Sequence, residues 1–323
     1  MKIYLAGPMR GIKNHNFPAF DAARDYLVEL GHDVVIPADL DRAAGFVTER
    51  DGRVELTPAF SIQAALRQDL ATICTCDAVA FLPGWEASSG SLVERRVAVD
   101  VGCRLFRFHP AAGRLEPELV VGLSGYARAG KDTVAEVIVS RHGFARGSFA
   151  AALKRVLVAL DPIVLDGRRL SEIDGAVEQT PSGPVLAEAA KEMPEVRRLL
   201  QRLGTDAGRS VLGKDVWVNA LLERPPGRLV LSDCRFPNEA DAIRSRGGVV
   251  LRVNRPGVGP INDHESETAL DGYRFDAVID NDGGIDDLAV RVDAAVASAG
   301  IDCACSPGAE LIDTDAASEL AAS

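Results

Sequence analysis

The sequence of 323 residues lacks the features that would place the protein in a membrane or on a nucleic acid. No apolar run approaches the roughly 18 residues that a membrane-spanning helix requires. The N-terminal stretch MKIYLAGPMRG has no small-residue cleavage site of the kind that ends a signal peptide. Acidic residues outnumber basic residues by 47 to 36, so the net charge of −11 disfavours nucleic acids and anionic membranes as general partners. We therefore expect a cytosolic protein whose phosphate-binding residues are local.

Cysteines at zinc-binding spacing are also absent. The six cysteines include two C-x-C pairs, Cys74 with Cys76 and Cys303 with Cys305, but no C-x-x-C and no histidine at ligand spacing. The expectation is therefore ordinary reduced thiols in a reducing compartment.

Short apolar strands alternate with helical stretches along most of the chain, which predicts the α/β class with two open, mainly parallel sheets. The alternation pauses at HPAAGRLEP, residues 109–117, whose proline, glycine and polar content is typical of a linker. The last residues, 301–323, are small, acidic and aperiodic, which predicts a disordered tail. The sequence thus predicts one domain at 1–108 and a second at 118–300.

The stretch GYARAGKDT, residues 125–133, nearly spells the phosphate-binding loop G-x-x-x-x-G-K-[ST], but Asp132 stands where a hydroxyl residue is expected. An apolar strand precedes the stretch and an amphipathic helix follows it, so backbone N–H groups and a helix N-terminus can bind phosphate. Asp132 and Thr133 both offer oxygen atoms to Mg²⁺. The candidate ATP-binding residues are Gly125, Arg128, Ala129, Gly130, Lys131, Asp132 and Thr133.

Five segments of the second domain occur in a telling order: GKDT, GFARGSFAAALKRVL, LLQRLGTDAGR, LVLSDCRFPNEA and DHESE. This series closely resembles the deoxynucleoside monophosphate kinases of bacteriophages, over about residues 119–299. The resemblance implies a P-loop fold like that of nucleoside monophosphate kinases, with ATP and Mg²⁺ as cofactors. If the protein is phage-encoded, it acts in the host cytoplasm.

The residue types in these segments suit phosphoryl transfer. Lys131 can neutralise the transferring phosphates, and Asp233, at the end of a strand, either holds Mg²⁺ through water or forms a turn. His264, Glu265 and Glu267 lie near a predicted helix start, where they either contact nucleotide or cap the helix. Five cations are candidates for binding the acceptor phosphate, although each alone could be a solvated surface charge: Arg146, Lys154, Arg202, Arg209 and Arg235. Trp217 is expected in the core.

The first domain has its own candidate site. The turn YLAGPMRG, residues 4–11, follows the first strand, where an open α/β sheet binds its ligand. Asp69 lies on a predicted helix, and SSGSLVE opens another helix with Glu94 in its first turns. Over about residues 1–108 these features resemble the nucleoside 2-deoxyribosyltransferase superfamily, which implies a Rossmann-like fold.

Cleavage of a sugar–base bond passes through an oxocarbenium-like state, so one buried carboxylate can attack C1′ while a second acid helps the base to leave. The resemblance implies Glu94 as the nucleophile and Asp69 as the second acid. The residues alone also allow a surface Glu94 paired with Arg95 or Arg96, and a surface Asp69. The substrate-binding candidates are Tyr4, which could instead be buried in the sheet, and Gly7, Arg10, Ser88 and Gly90.

Ser88 departs from the pattern of the transferases that act on free nucleosides. Those enzymes carry an aspartate six residues before the nucleophile, where it meets the sugar 5′-hydroxyl. Serine at this place is similar to the branch that hydrolyses 2′-deoxynucleoside 5′-monophosphates. An aspartate would repel a phosphate, whereas Ser88, the backbone at Gly90 and Arg10 could bind one.

The sequence therefore predicts a bifunctional enzyme that acts on small-molecule deoxynucleotides with both domains. Relatives of the first domain complete their pocket across a subunit contact, so a homo-oligomer is expected by analogy. Two alternatives stay open. The first domain could be a non-catalytic nucleotide sensor, or the kinase could phosphorylate another acceptor, such as phosphomevalonate.

Overall fold

A computed structural model describes residues 1–180, 183–225, 227–260 and 265–301, apart from the side chain of Ser266. Two five-stranded sheets with flanking helices organise this part of the chain. The predicted α/β class with open, mainly parallel sheets is thus confirmed. Predictions about His264, Cys303, Cys305 and the tail from 302 onward lie outside the described residues. Across the described ranges, no helix combines the length and apolar character needed to cross a membrane.

The first sheet has the spatial order β2-β1-β5-β6-β7, and its strand pairs are parallel except for β6 with β7. Strands β3 and β4 form a separate antiparallel hairpin. The elements are β1 Lys2–Ala6, α1 Phe17–Glu29, β2 Asp33–Val35, α2 Pro37–Ala43, β3 Val47–Arg50, β4 Arg53–Leu56, α3 Ile62–Ile73, β5 Ala78–Phe81, α4 Ser89–Asp100, β6 Arg104–His109 and β7 Arg114–Pro117.

Helix α1 shows how the sequence produces these elements. Pro18 stands in its first turn, where a missing N–H costs no hydrogen bond. Its buried residues Phe17, Phe20, Ala23 and Leu27 recur every three or four positions and so form one apolar face. This face packs against the sheet beside Ile3 and Leu5 of β1, in the main core of the first domain.

The segment 109–117, predicted as a linker, forms a reverse turn and a strand instead. Gly113 adopts a left-handed conformation after the short turn Pro110–Ala112, and its carbonyl accepts a hydrogen bond from the Tyr26 hydroxyl. The chain then runs back along β6 as the antiparallel strand β7. Only Glu118 separates β7 from the first strand of the second sheet, so the two sheets are joined directly.

The second sheet has the order β16-β15-β8-β14-β9 with all pairs parallel. The predicted helical middle also contains two small antiparallel hairpins. Trp217 is buried, as expected. The elements are β8 Leu119–Ser124, α5 Lys131–His142, β9 Ala145–Gly147, α6 Ala150–Leu160, β10 Ile163–Leu165, β11 Arg168–Arg169, β12 Val177–Thr180, β13 Gly183–Leu186, α7 Pro194–Gln201, a π-helix Arg202–Leu212, α8 Val216–Leu222, β14 Arg228–Leu231, α9 Pro237–Arg244, β15 Val249–Asn254, α10 Glu265–Thr268, β16 Ala277–Asp280 and α11 Ile285–Ser298.

Candidate active sites

An acidic cluster of Tyr4, Asp69 and Glu94 lies inside the first domain. Tyr4 of β1 is fully buried, and its hydroxyl donates a hydrogen bond to Glu94 Oε1 over 3.1 Å. Glu94 of α4 is only 5% exposed, and its Oε2 atom is buried without a hydrogen-bond partner among the described residues. Asp69 of α3 lies close enough for its charge to raise the pKa of both Tyr4 and Glu94. The surface interpretation of Glu94 is therefore wrong.

Burial dominates the protonation of the acidic cluster. It raises the pKa of Glu94 to about 8; the charge of Asp69 adds to this rise, and the hydrogen bond from Tyr4 opposes it. Burial also raises the pKa of Asp69 to about 7; the nearby Tyr4 hydroxyl opposes this rise, and the charge of Asp41 adds to it. The cluster therefore retains a proton near neutral pH, so that one carboxyl group can donate a proton while the other is ionised.

Asp41 is a buried acid near this cluster that the sequence did not reveal. It lies on α2, and burial raises its pKa to about 6, with the charge of His15 opposing. His15 belongs to a turn in which Asn14, His15 and Asn16 all have φ between 52° and 61°, a conformation that favours glycine. No motif marks Asp41, because only the folded chain shows its burial.

The predicted phosphate-binding residues of the first domain lie at the carboxyl edge of the sheet. Arg10 is exposed in the turn after β1, and Ser88 follows the adjacent parallel strand β5. Ser88 caps α4, since its Oγ accepts a hydrogen bond from the Ser91 N–H over 3.3 Å. Gly90 lies in the first turn of α4, and a side chain at Gly7 would clash with Leu82. Gly7 thus permits close packing of the turn.

The loop Gly125–Gly130 lies between β8 and α5, and two of its glycines are sterically required. A Cβ at Gly125 would collide with the Val253 carbonyl, and one at Gly130 would collide with the Asn281 side chain. Both glycines also have positive φ. Asn281 Nδ2 donates a hydrogen bond to the Ala129 carbonyl over 2.9 Å, which fixes the loop from the end of β16.

The Lys131 side chain folds back and binds backbone carbonyl groups of this loop. Its Nζ donates to the carbonyl oxygens of Gly125 and Tyr126 over 2.7 and 2.8 Å. Burial lowers the pKa of Lys131 to about 8; Arg235 also lowers it, whereas Asp132 and Glu267 raise it. A phosphate placed in the loop would offer this half-buried ammonium group stronger, anionic acceptors.

Asp132 and Ser232 form an oxygen-rich pair at the start of α5. The Ser232 hydroxyl donates a hydrogen bond to Asp132 Oδ1 over 2.9 Å, and Arg146 forms an ion pair with the same carboxylate. Ser232 directly follows β14, the strand beside β8. Carboxylate and hydroxyl oxygens suit Mg²⁺, so these residues fit that ion. Ser232 was missed because a lone serine at a strand end carries no motif.

Asp233 has a structural role that accounts for its position. Its carboxylate accepts hydrogen bonds from Ser148 Oγ, Phe149 N–H and Ala150 N–H over 2.6, 3.0 and 3.1 Å. These donors lie at the start of α6, so Asp233 caps that helix. No group of three or more His, Cys, Asp or Glu side chains suited to a metal occurs in the described part of the chain.

Three of the five predicted phosphate-binding cations lie around the loop. Arg146 forms an ion pair with Asp132. Arg235 lies close enough to Lys131 for its charge to lower the pKa of that lysine. Lys154 of α6 lies near Asp233. Burial lowers the pKa of Lys154 to about 8, and the neighbouring Lys191, which the sequence did not single out, lowers it further.

The other two cations have protein partners elsewhere. Arg209 forms an ion pair with Glu239 over 2.7 Å and stacks on the Phe236 ring. Arg202 is exposed and lies 3.9 Å from Asp206 on the same π-helix. These contacts connect both arginines to local structure rather than to the loop, which for Arg202 favours a solvated surface charge.

Glu267 of α10 joins the loop region through Arg235. Its Oε1 accepts a hydrogen bond from Arg235 Nη1 over 3.0 Å, while its Oε2 is buried without a partner among the described residues. Glu267 thus lies near Lys131 and the loop Gly125–Gly130. Glu265 lies on the same short helix but is exposed.

Two family models match this chain. Residues 1–106 match a family described as a domain of unknown function, DUF4406. Residues 176–292 match the family described as deoxynucleotide monophosphate kinase. The C-terminal half of the chain carries a deoxynucleotide monophosphate kinase domain. The matched range begins after the phosphate-binding loop, so the loop in this kinase domain is recognised from its own geometry.

Individual relatives agree with the kinase domain. The chain is 29% identical to a protein of Acanthamoeba polyphaga mimivirus that is named for the same kinase family, over 56% of this chain and 97% of that protein. It is 24% identical to the deoxynucleoside-5′-monophosphate kinase of Escherichia phage T5, over 54% of this chain and 94% of that enzyme. A solved dephospho-CoA kinase from Campylobacter jejuni aligns with a TM-score of 0.32 at 14% identity, over 56% of this chain and 96% of its own.

Proposed function

We propose that the kinase domain transfers the γ-phosphoryl group of ATP to a deoxynucleoside monophosphate and forms the diphosphate. The observation that carries this proposal is Lys131, held at the mouth of a sterically defined phosphate loop in a chain whose following residues match the kinase family. Arg146, Lys154 and Arg235 lie around the loop, and they would bind the acceptor phosphate. Mg²⁺, when bound, would neutralise phosphate charge, and Asp132 and Ser232 would hold it.

The direct test is incubation of the protein with each deoxynucleoside monophosphate, with and without ATP and Mg²⁺, followed by chromatography. Diphosphate formed only with ATP supports the kinase proposal. Phosphorylation of phosphomevalonate in place of every deoxynucleotide would refute it in favour of another acceptor. The same chromatograms report free base, which tests the first domain.

Asp132 provides a test of the metal site. If its carboxylate supports Mg²⁺, Asp132→Ala should raise the Mg²⁺ concentration for half-maximal diphosphate formation about tenfold, the equivalent of about 1.4 kcal/mol. Asp132→Ser should retain substantial activity, because it restores the usual hydroxyl of this loop. Titration of the rate against Mg²⁺ measures both effects. An unchanged Mg²⁺ requirement in Asp132→Ala would leave Asp132 a structural residue paired with Arg146.

For the first domain we propose cleavage of the N-glycosidic bond of deoxynucleoside 5′-monophosphates. The acidic cluster supports this, since burial raises the pKa values of Glu94 and Asp69 so that the pair shares a proton near neutral pH, and Glu94 Oε2 has no hydrogen-bond partner among the described residues. The reactive form is the one in which Asp69 carries that proton. Glu94 attacks C1′ as the C1′–N bond breaks, and Asp69 donates a proton to the departing base. Water, activated by Asp69, then hydrolyses the glycosyl ester and restores Glu94. An acceptor base in place of water would make the domain a transferase.

The alternative for this domain is a nucleotide sensor. A sensor requires binding residues but no proton shared between a buried and a half-buried acid, so the cluster favours catalysis. Absence of free base with all deoxynucleotides, together with tight binding of one of them, would favour the sensor. We also propose that the protein acts in the cytoplasm as a homo-oligomer; a monomeric mass in solution would contradict the second part.

Phosphate selection in the first domain depends on Arg10 and Ser88. A charge-assisted hydrogen bond contributes about 1.5 to 3 kcal/mol, so Arg10→Ala should slow monophosphate cleavage roughly 10- to 150-fold and hardly affect nucleosides. Ser88→Asp should invert the preference, because it sets a negative charge against the phosphate and offers an acceptor to a 5′-hydroxyl. The ratio of kcat/KM values for monophosphate and nucleoside measures both. Equal use of the two substrates by the wild type would refute the phosphate pocket.

A further inference from the structure

An ion cluster of Arg95, Arg107 and Glu118, called here the interdomain cluster, lies where the two sheets join. Arg95 Nη2 and Glu118 Oε2 are 2.7 Å apart, with side chains that are only 4% and 3% exposed. Arg107 lies 3.6 Å from Glu118 and also forms an ion pair with Glu86 over 3.0 Å. Both guanidinium groups lie near the ring of Trp85. Arg95 and Glu118 are therefore a buried ion pair, and Arg107 is half-buried beside them.

Two residues of the interdomain cluster also bind backbone atoms of the kinase domain. Arg95 Nη1 donates a hydrogen bond to the carbonyl of Leu222, the last residue of α8, over 3.0 Å. Arg107 donates to the carbonyl of Pro225. A helix leaves its last carbonyl groups without intrahelical partners, and a cation is favourable there. Arg95 thus caps α8 from the other domain.

Arg95 directly follows Glu94 on α4, so one turn of helix carries both residues. Glu94 reaches Tyr4 in the first domain, whereas Arg95 reaches Leu222 in the kinase domain. Both side chains are buried, so neither can follow a shift of α4 without breaking a contact. The position of Glu94 is consequently tied to α8.

Helix α8 is itself fixed within the kinase domain. The Trp217 Nε1 atom donates to the Gly204 carbonyl of the π-helix over 3.0 Å. Asn238 of α9 donates to the Lys214 carbonyl and to the Asp215 carboxylate just before α8. The helix that Arg95 contacts is therefore held by hydrogen bonds within the kinase domain.

We propose that Arg95 is a positioning residue that anchors the helix of Glu94 on the kinase domain, which makes that domain a structural part of the first active site. This inference rests on the proposed cleavage function of the first domain for its kinetic consequence. Anchoring explains why Arg95, on the same helix as Glu94, contacts the end of α8, and why Glu118 is buried beside Arg95.

The test requires a variant that leaves no stranded charge, because removal of one partner from a buried ion pair is destabilising in itself. The double variant Arg95→Met/Glu118→Gln removes both charges, and Arg107 keeps Glu86 as its partner. Arg96→Met is the matched control, since Arg96 is the next residue of α4 but is 66% exposed and pairs with Asp100 over 3.2 Å. All variants are made in the full chain and checked for cooperative thermal unfolding.

The double variant should lower kcat for base release from deoxynucleoside monophosphates tenfold or more, with KM and diphosphate formation within twofold of the wild type. Arg95→Lys should give a kcat between those of the double variant and the wild type, because a single ammonium nitrogen does not reproduce the planar fork by which the guanidinium group contacts Glu118 and Leu222 through separate nitrogens. Arg96→Met should leave all three quantities within twofold. Base release within twofold of the wild type in the double variant would overturn the proposal.

Hydrogen exchange shows whether the Arg95 contact links α4 to α8 even if the proposed cleavage function is wrong. The amides of α4 and of the last turn of α8 should exchange faster in the double variant than in the wild type, and at wild-type rates in Arg96→Met. If the wild type releases no base, the cleavage function is wrong and exchange alone decides the link. Equal exchange in all three proteins would overturn the link whatever the activity.

Discussion

Replacing Lys131 with alanine should reduce ATP-dependent diphosphate formation roughly 10- to 10⁴-fold, because one or two charge-assisted hydrogen bonds of about 1.5 to 3 kcal/mol each are lost from the transferring phosphates. The ammonium group is half-buried and sits on the carbonyl groups of Gly125 and Tyr126, at the mouth of the loop. In the alanine variant, water molecules would not fully replace the ammonium group of Lys131 as hydrogen-bond donors to the phosphates. Base release should persist at the wild-type rate, because Lys131 belongs to the other domain.

Both products are measured in one chromatogram, so base release is an internal control for folding. Lys214→Ala is a matched control, since Lys214 is an exposed lysine of the same domain. Its diphosphate formation should remain within twofold of the wild type. Diphosphate formation by Lys131→Ala at more than a tenth of the wild-type rate would show that the loop does not bind the transferring phosphates.

The phosphate loop was predictable from sequence because its constraints are local. Gly125 and Gly130 have no room for a side chain, and the apolar strand and helix on either side set the direction of the backbone. A short motif therefore carries nearly all of the geometry. Much the same holds for Glu94, since a strand, a serine cap and a helix fix its place within a short stretch of chain.

Features that depend on distant parts of the chain were not predictable in this way. Asp233 caps α6 through donors more than eighty positions away in sequence. The β7 strand reads as a linker because its partner β6, and not its own composition, makes it a strand. Burial of Asp41 and the contact of Arg95 with Leu222 likewise arise only when separate elements pack. Single-sequence patterns contain no record of such pairings.

The amide variant Glu94→Gln should reduce base release by on the order of 10⁴-fold or more, because removal of a nucleophile that acts as a unit with its partners abolishes most of their joint effect. Glutamine retains the size of glutamate and an oxygen that can accept the Tyr4 hydrogen bond, so the pocket should keep its shape. Diphosphate formation should not change. Glu29→Gln, at an exposed position of α1, is the matched control and should release base at the wild-type rate.

The same substitution should stabilise the protein at alkaline pH. Burial raises the pKa of Glu94 from 4.5 to about 8, so between these values the folded state binds a proton that the unfolded state does not. The contribution of protonated Glu94 to the free energy of unfolding is therefore fully present below about pH 4.5 and is lost as the pH rises through about 8. Each tenfold difference in proton affinity between the folded and unfolded states corresponds to about 1.4 kcal/mol. Ionised Glu94 must then remain buried beside Asp69. A neutral amide avoids this cost.

Thermal unfolding from pH 5 to 9 therefore tests whether ionisation of the buried Glu94 carboxyl group lowers the stability of the folded protein. The wild-type melting temperature should fall as the pH rises through this range, and that of Glu94→Gln should fall less, so that the variant is the more stable protein at pH 9. Asp69 and Asp41, whose pKa values burial also raises, contribute to the slope that remains. The rate of base release in the wild type should pass through a maximum between about pH 7 and 8, because attack on C1′ requires the Glu94 carboxylate while departure of the base requires a proton on Asp69. Parallel melting curves for both proteins, or a rate already maximal at pH 5, would mean that Glu94 is ionised throughout and that the acidic cluster holds no shared proton.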